Sequence, residues 1–136
     1  MNPRIKDKLN EIDDYLSELS QLVPEDYESY LENFGKRAAC ERYFEKIVEA
    51  VIDVCFLIIK EKKFELPREE ETSFLILAKK GLLPEELANK LVDAKGMRNF
   101  IVHEYGEIDN LKVYTSLTEE FESDIKEFLN SIRNTI

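Results

Sequence analysis

Val51-Ile52-Asp53-Val54-Cys55-Phe56-Leu57-Ile58-Ile59 decides how this chain folds. All but Asp53 are apolar, and the pattern around them runs from about Ser29 to about Lys62 as one long helix, with a bend expected near Gly35. A helix that is apolar nearly all round is buried on several sides, so this one should be central. Arg42, Glu49, Asp53 and Lys60 fall on one narrow stripe of it, by steps that nearly close whole turns. Two readings stand side by side. The four residues pair locally along a helix edge, or Glu49 or Asp53 reaches a neighbouring helix and orients an arginine there, since an aspartate within an apolar run needs a partner.

Outward from that helix the signals remain helical. Ile5, Leu9, Ile12, Leu16, Leu19 and Val23 recur in steps of four and three, which makes a one-sided surface helix. A short helix spans about Glu70 to Lys80, and Gly81 ends it. The next starts near Pro84, where Glu85 and Glu86 suit its positive end, and runs to about His103. A last helix starts near Asn110 and carries Leu117, Phe121, Ile125, Phe128, Ile132 and Ile136 on one side. Pro3, Pro24, Pro67 and Pro84 all fall where helices should begin. The fold class is therefore all-α: one domain over residues 1–136, an antiparallel up-and-down bundle of about five helices with one long central member.

Composition sets bounds on function. Hydrophobic residues make up 43% and charged residues 35% of the 136, which suits a helix-rich globular domain rather than a disordered chain. No apolar run approaches the ~18 residues of a membrane span, and the N-terminal residues lack a hydrophobic signal region. A cytoplasmic protein with no membrane association is expected. Cys40 and Cys55 should lie roughly 22 Å apart on one helix, too far to pair. The net charge of −10 counts against broad electrostatic binding to nucleic acid, so any RNA contact needs a local basic patch or a partner that supplies one.

Arg98-Asn99-Phe100-Ile101-Val102-His103-Glu104-Tyr105 holds the only histidine of the chain. Leu91, Ala94, Arg98, Ile101 and Tyr105 form one stripe of the fourth helix, and Lys95, Asn99 and His103 form the adjacent one. Arg98 and His103 stand about 140° apart around the axis, close enough to border one cleft. Gly96 inside the helix costs ~1 kcal/mol against alanine and suggests close approach of another backbone. Spacing alone also allows a plainer account, in which His103 complements the helix dipole, Arg98 is a salt-bridge residue and Tyr105 belongs to the core.

The order Arg98-x-x-x-x-His103-x-Tyr105 on the fourth helix resembles the signature of the HEPN superfamily. It looks most like the HepT-type ribonuclease toxins that pair with minimal nucleotidyltransferase antitoxins. The likeness extends through Ala39-x-Glu41-Arg42, Glu49-Ala50-x-x-Asp53, Thr72-Ser73-Phe74 towards Gly81, and Arg98-Asn99 to Tyr105. It departs before Phe74, where related chains often carry an aromatic–arginine pair. The resemblance implies RNA cleavage that needs no metal and no cofactor, by attack of a 2′-hydroxyl on the adjacent phosphorus. Histidine suits the proton transfer and arginine the developing phosphoryl charge.

Arg98 and His103 are thus the expected catalytic residues, with Asn99, Glu49 and Asp53 in support and Lys95 and Arg42 as candidate RNA contacts. A single histidine leaves one proton transfer unserved, so two copies in a homodimer are expected to share a cleft. The resemblance also marks Tyr105 as the target of adenylylation by a nucleotidyltransferase antitoxin, where AMP would block RNA by bulk and charge. The RNA substrate is open, tRNA among the choices. A non-catalytic HEPN module that binds nucleotide or a nucleotidyltransferase is the second expectation.

Overall fold

The structure is a computed structural model that describes residues 2–103 and 109–135, and of His103 the backbone alone. The described residues form seven helices: α1 (Pro3–Leu22), α2 (Tyr27–Glu32), α3 (Phe34–Glu61), α4 (Glu70–Lys79), α5 (Glu85–His103), α6 (Asn110–Glu119) and α7 (Phe121–Thr135). The all-helical expectation holds, but two expected helices are each divided.

The first division falls at Asn33 rather than at Gly35. The Asn33 N–H donates to Ser29 O at 3.2 Å and closes α2, while its side chain accepts from the Lys36 N–H at 3.0 Å and caps α3. One residue thus satisfies orphan groups of two helices. The second division falls at Glu120, between α6 and α7. Just before it, the Thr118 hydroxyl donates to Tyr114 O at 2.9 Å, a back-bond that bends helices by competing for the carbonyl. The apolar stripe continues across the bend, and Leu117, Phe121, Ile125, Phe128 and Ile132 are all buried.

α3 packs against α1, α2, α4 and α5, and Val51, Ile52, Val54, Cys55, Ile58 and Ile59 are buried as expected of a central helix. Ile5, Leu9, Ile12, Leu16 and Leu19 of α1 lie in the same core. Phe44 of α3 meets Phe121 of α7 with ring centroids 4.4 Å apart, a contact whose loss to alanine would cost about 3–5 kcal/mol. Cys40 and Cys55 are free and buried. Burial pushes the Cys40 thiol up to about 11, so it stays protonated at neutral pH.

α4 departs from the expected antiparallel order. Its first residue, Glu70, shares Arg98 with Glu49 in mid-α3, and Lys80 beyond its last turn sits over Phe64, just past the end of α3. α4 therefore runs in broadly the same direction as α3, and residues 62–69 return along its length. A short link through Gly81 (φ 79°) then reverses the chain into α5. Gly96 also departs from expectation: a Cβ built there meets nothing within 4 Å, so no backbone among the described residues approaches it. Among the described residues no helix is long and apolar enough to cross a membrane.

Candidate active site

α5 is scarcely amphipathic, and its inward stripe contains an arginine. Leu91 and Ile101 on that stripe are buried, and the Arg98 side chain between them is only 15% exposed. A guanidinium so placed needs partners. Its Nη2 donates to Glu49 Oε1 of α3 at 3.0 Å, and its Nη1 donates to Asn99 Oδ1 at 2.8 Å. Glu70 Oε1 of α4 approaches Nη1 at 3.6 Å, an ion pair too long to be a hydrogen bond. The Nε–H is buried and has no acceptor among the described residues. Arg98 is thus held at one edge and leaves a donor unmatched at the other.

One turn earlier, Lys95 Nζ donates to Glu71 Oε2 of α4 at 2.9 Å. This hydrogen bond holds the Glu71 carboxyl below the usual carboxylate range. The start of α4 therefore supplies two carboxylates, Glu70 and Glu71, to two cations of α5, Arg98 and Lys95. Sequence reasoning did not single them out. Two glutamates in the first turn of a helix read as partners of its dipole, and only the tertiary fold places α5 beside them.

Of the other expected residues, Glu49 reaches Arg98, as one of the two readings of its stripe required. Asp53 instead faces Lys8 of α1 at 3.5 Å and is 56% exposed, so the structure does not bring it to Arg98. Arg42 pairs with Glu45 on its own helix at 2.7 Å and is 60% exposed. Lys95 sits beside Arg98 but is engaged by Glu71. His103 closes α5, its side chain outside the described residues, and Tyr105 lies outside them altogether. Among the described residues no cluster of three His, Cys, Asp or Glu side chains is arranged to hold a metal ion.

A separate groove of about 1220 Å³ opens along α5, lined by Val92, Gly96, Met97 and Phe100 with Leu111 of α6 and Phe121 of α7. None of Lys95, Arg98 and Asn99 lines it, so the charged cluster and this groove are distinct.

The family profile described as "Ribonuclease HepT-like" matches residues 12–132. This chain belongs to the HepT-like ribonuclease family. The HepT-like match takes in every helix that touches Arg98. Among its relatives, the tRNA nuclease HepT of Aphanizomenon flos-aquae is 30% identical over 114 residues, 84% of this chain and 78% of the relative. The mRNA nuclease HepT of Shewanella oneidensis is 26% identical over 133 residues, 98% of each chain. In fold, the chain is similar to the tri-AMPylated HEPN toxin of Shewanella oneidensis, solved in complex with an MNT antitoxin. The TM-score is 0.92 at 24% identity, over 98% of this chain and 99% of that one. As a member of the HepT-like family the chain is a ribonuclease. The two named relatives act on different RNA classes, so membership does not carry a substrate with it.

Proposed function

We propose that this ribonuclease is the toxin of a type II toxin–antitoxin pair and cleaves RNA without a metal ion, with Arg98 and His103 at a homodimer cleft. The observation that carries this reading is the seating of Arg98. A part-buried guanidinium, aimed by Glu49 and Asn99, stands five residues before the only histidine of the chain. Such an arginine is pre-organised to receive a phosphoryl oxygen and to stabilise its growing charge.

In the proposed reaction His103 accepts the proton of the 2′-hydroxyl as its oxygen bonds to phosphorus. The bond from phosphorus to the 5′-oxygen breaks, and the 5′-oxygen takes a proton from the His103 of a second copy. The products are a 2′,3′-cyclic phosphate and a 5′-hydroxyl. Glu49 and Asn99 hold Arg98, and Lys95 and Arg42 meet flanking phosphates. Asp53 acts only as a support of α3, through Lys8. A cognate nucleotidyltransferase antitoxin silences the site by placing AMP on Tyr105, adding bulk and negative charge beside Arg98.

Purified protein incubated with RNA in EDTA should cleave it and leave cyclic-phosphate ends. Arg98→Ala and His103→Ala should each abolish the activity, and intact RNA with the unmodified dimer would overturn the reading. With the antitoxin and ATP, intact mass should show added AMP that Tyr105→Phe loses. A second reading, a HEPN module that binds without cutting, gains from the two carboxylates that occupy Arg98. It predicts RNA or nucleotidyltransferase binding with no cleavage in the same assay.

A further inference from the structure

The cations of this acidic chain are not spread evenly. Lys60, Lys62, Lys63, Arg68, Lys79 and Lys80 are all exposed, and none of the six forms an ion pair among the described residues. The fold gathers them. α3 and α4 run the same way, so both C-terminal ends meet, and Lys80 Nζ stands 4.9 Å over the Phe64 ring to join them. The return segment then leads from Lys63 to Arg68, two residues before Glu70, which touches Arg98. Glu61, Glu65 and Glu69 are the acids along the same path, leaving it a positive excess in a chain of net charge −10.

Lysines near helix C-termini have an ordinary use, complementing the dipole. That accounts for Lys60 and Lys79. It does not account for Arg68, which precedes the positive end of α4, nor for Lys63. Lys63 lies past the end of α3 with φ 58°, its N–H bonded to Lys60 O at 3.2 Å and the Phe64 N–H to Ile59 O at 3.0 Å. α4 ends in the same motif, with Gly81 (φ 79°) in the corresponding place. The left-handed position favours glycine, and a side chain with a Cβ occupies it at a cost of about 1 kcal/mol. The chain spends that strain on a cation at the centre of the patch.

Along α3 from Glu49 to Lys60, and along α4 from Glu70 to Lys80, the patch lies roughly 15 Å from Arg98. That is about five nucleotides of a stacked strand. We propose that this surface binds the phosphate backbone of single-stranded RNA about five nucleotides from the phosphate held at Arg98. The inference rests on the ribonuclease reading above and adds to it a track for the substrate.

The test measures binding of fluorescein-labelled 2′-O-methyl oligoribonucleotides, which lack the attacking hydroxyl, to the full chain over a range of salt. Lengths of about four and about twelve nucleotides fall short of and span the patch. Wild type should bind the longer probe more tightly. In Lys62→Gln/Lys63→Gln/Lys79→Gln/Lys80→Gln that gain should fall about tenfold or more, and the salt slope should flatten by about 1–3 at ~0.7 per lost phosphate contact. The corresponding four arginine substitutions should restore both, and circular dichroism checks that each variant is folded.

An unchanged long-probe affinity and slope in the folded glutamine variant would overturn the inference while leaving cleavage standing. Patch-dependent binding in a protein that never cleaves would sustain the inference and sink the nuclease reading. Charge-dependent capture of anionic lipid vesicles with no effect on RNA would also overturn it.

Discussion

Arg98 Nη2 and Glu49 Oε1 meet at 3.0 Å across the α3–α5 interface, although 49 positions separate them in the chain. The bond crosses between the two helices that carry the motif and fixes one edge of the guanidinium. Glu49→Gln keeps the shape and removes the charge that aims the arginine. The expected result is a fall in kcat of about tenfold or more, near 1.4 kcal/mol of transition-state stabilisation, with a smaller change in KM. Single-turnover cleavage on saturating RNA checks it, and an unchanged kcat would show that Glu49 does not position Arg98.

Glu70 stands differently. At 3.6 Å from Nη1 it is close enough for Coulomb attraction and too far for a hydrogen bond, so it competes with substrate phosphate more than it orients the arginine. Glu70→Gln should tighten RNA binding a few-fold and lower KM, most clearly at low salt. A loss of activity parallel to Glu49→Gln would assign Glu70 to positioning instead.

Glu71 has its carboxyl pKa lowered by the hydrogen bond from Lys95. A carboxyl whose folded pKa lies below its unfolded value stabilises the fold above the unfolded value, and that stability is lost as pH falls through the folded one. Acid unfolding should therefore begin at higher pH in a variant that stabilises this contact less. Glu71→Gln should lose stability near pH 7 and show a flatter dependence below about pH 4.3. Urea melts across that range test the sign.

Two backbone positions give stability predictions of the same sign for different reasons. Gly96→Ala places a methyl in open space on a helix and should raise stability by about 0.5–1 kcal/mol, a few degrees in Tm. Lys63→Gly relieves a left-handed side-chain residue and should gain about 1 kcal/mol, while weakening binding of long RNA. Thermal melts of both read the first effect, and a loss of stability in Gly96→Ala would mean that a neighbour closes on α5 in the assembled protein.

Tyr30 is fully buried beside Tyr27 and Tyr114, yet its hydroxyl has no hydrogen-bond partner among the described residues, and burial pushes its pKa up. Tyr114, by contrast, donates to Pro24 O at 2.8 Å. Tyr30→Phe should be neutral or stabilising by about 1 kcal/mol, whereas Tyr114→Phe should destabilise by about the same amount. Denaturant midpoints of the two variants, compared at equal m-values, separate these outcomes.

The amphipathic stripe of α1, the all-round apolar run in α3 and the stop at Gly81 were all legible in the residues, because each depends on periodicity or on one residue's backbone freedom. The placing of Arg98 on an inward stripe was legible for the same reason. Helix count was less so. The break at Asn33 rests on one side chain capping one helix while its N–H closes another, and the bend at Glu120 rests on a hydroxyl back-bond, both local choices that leave the apolar period untouched.

Periodicity defines a face but not the partner that will cover it. The sequence alone determined an all-helical chain, a central helix and an arginine turned inward near the only histidine. Only tertiary structure decided that Glu49 and not Asp53 meets that arginine, that Glu70 joins it while Glu71 takes Lys95, and that α4 runs alongside α3. These are long-range pairings set by how whole helices pack. The same parallel run of α3 and α4 gathers their C-terminal lysines into one surface, which no local pattern in a chain of net charge −10 foretells.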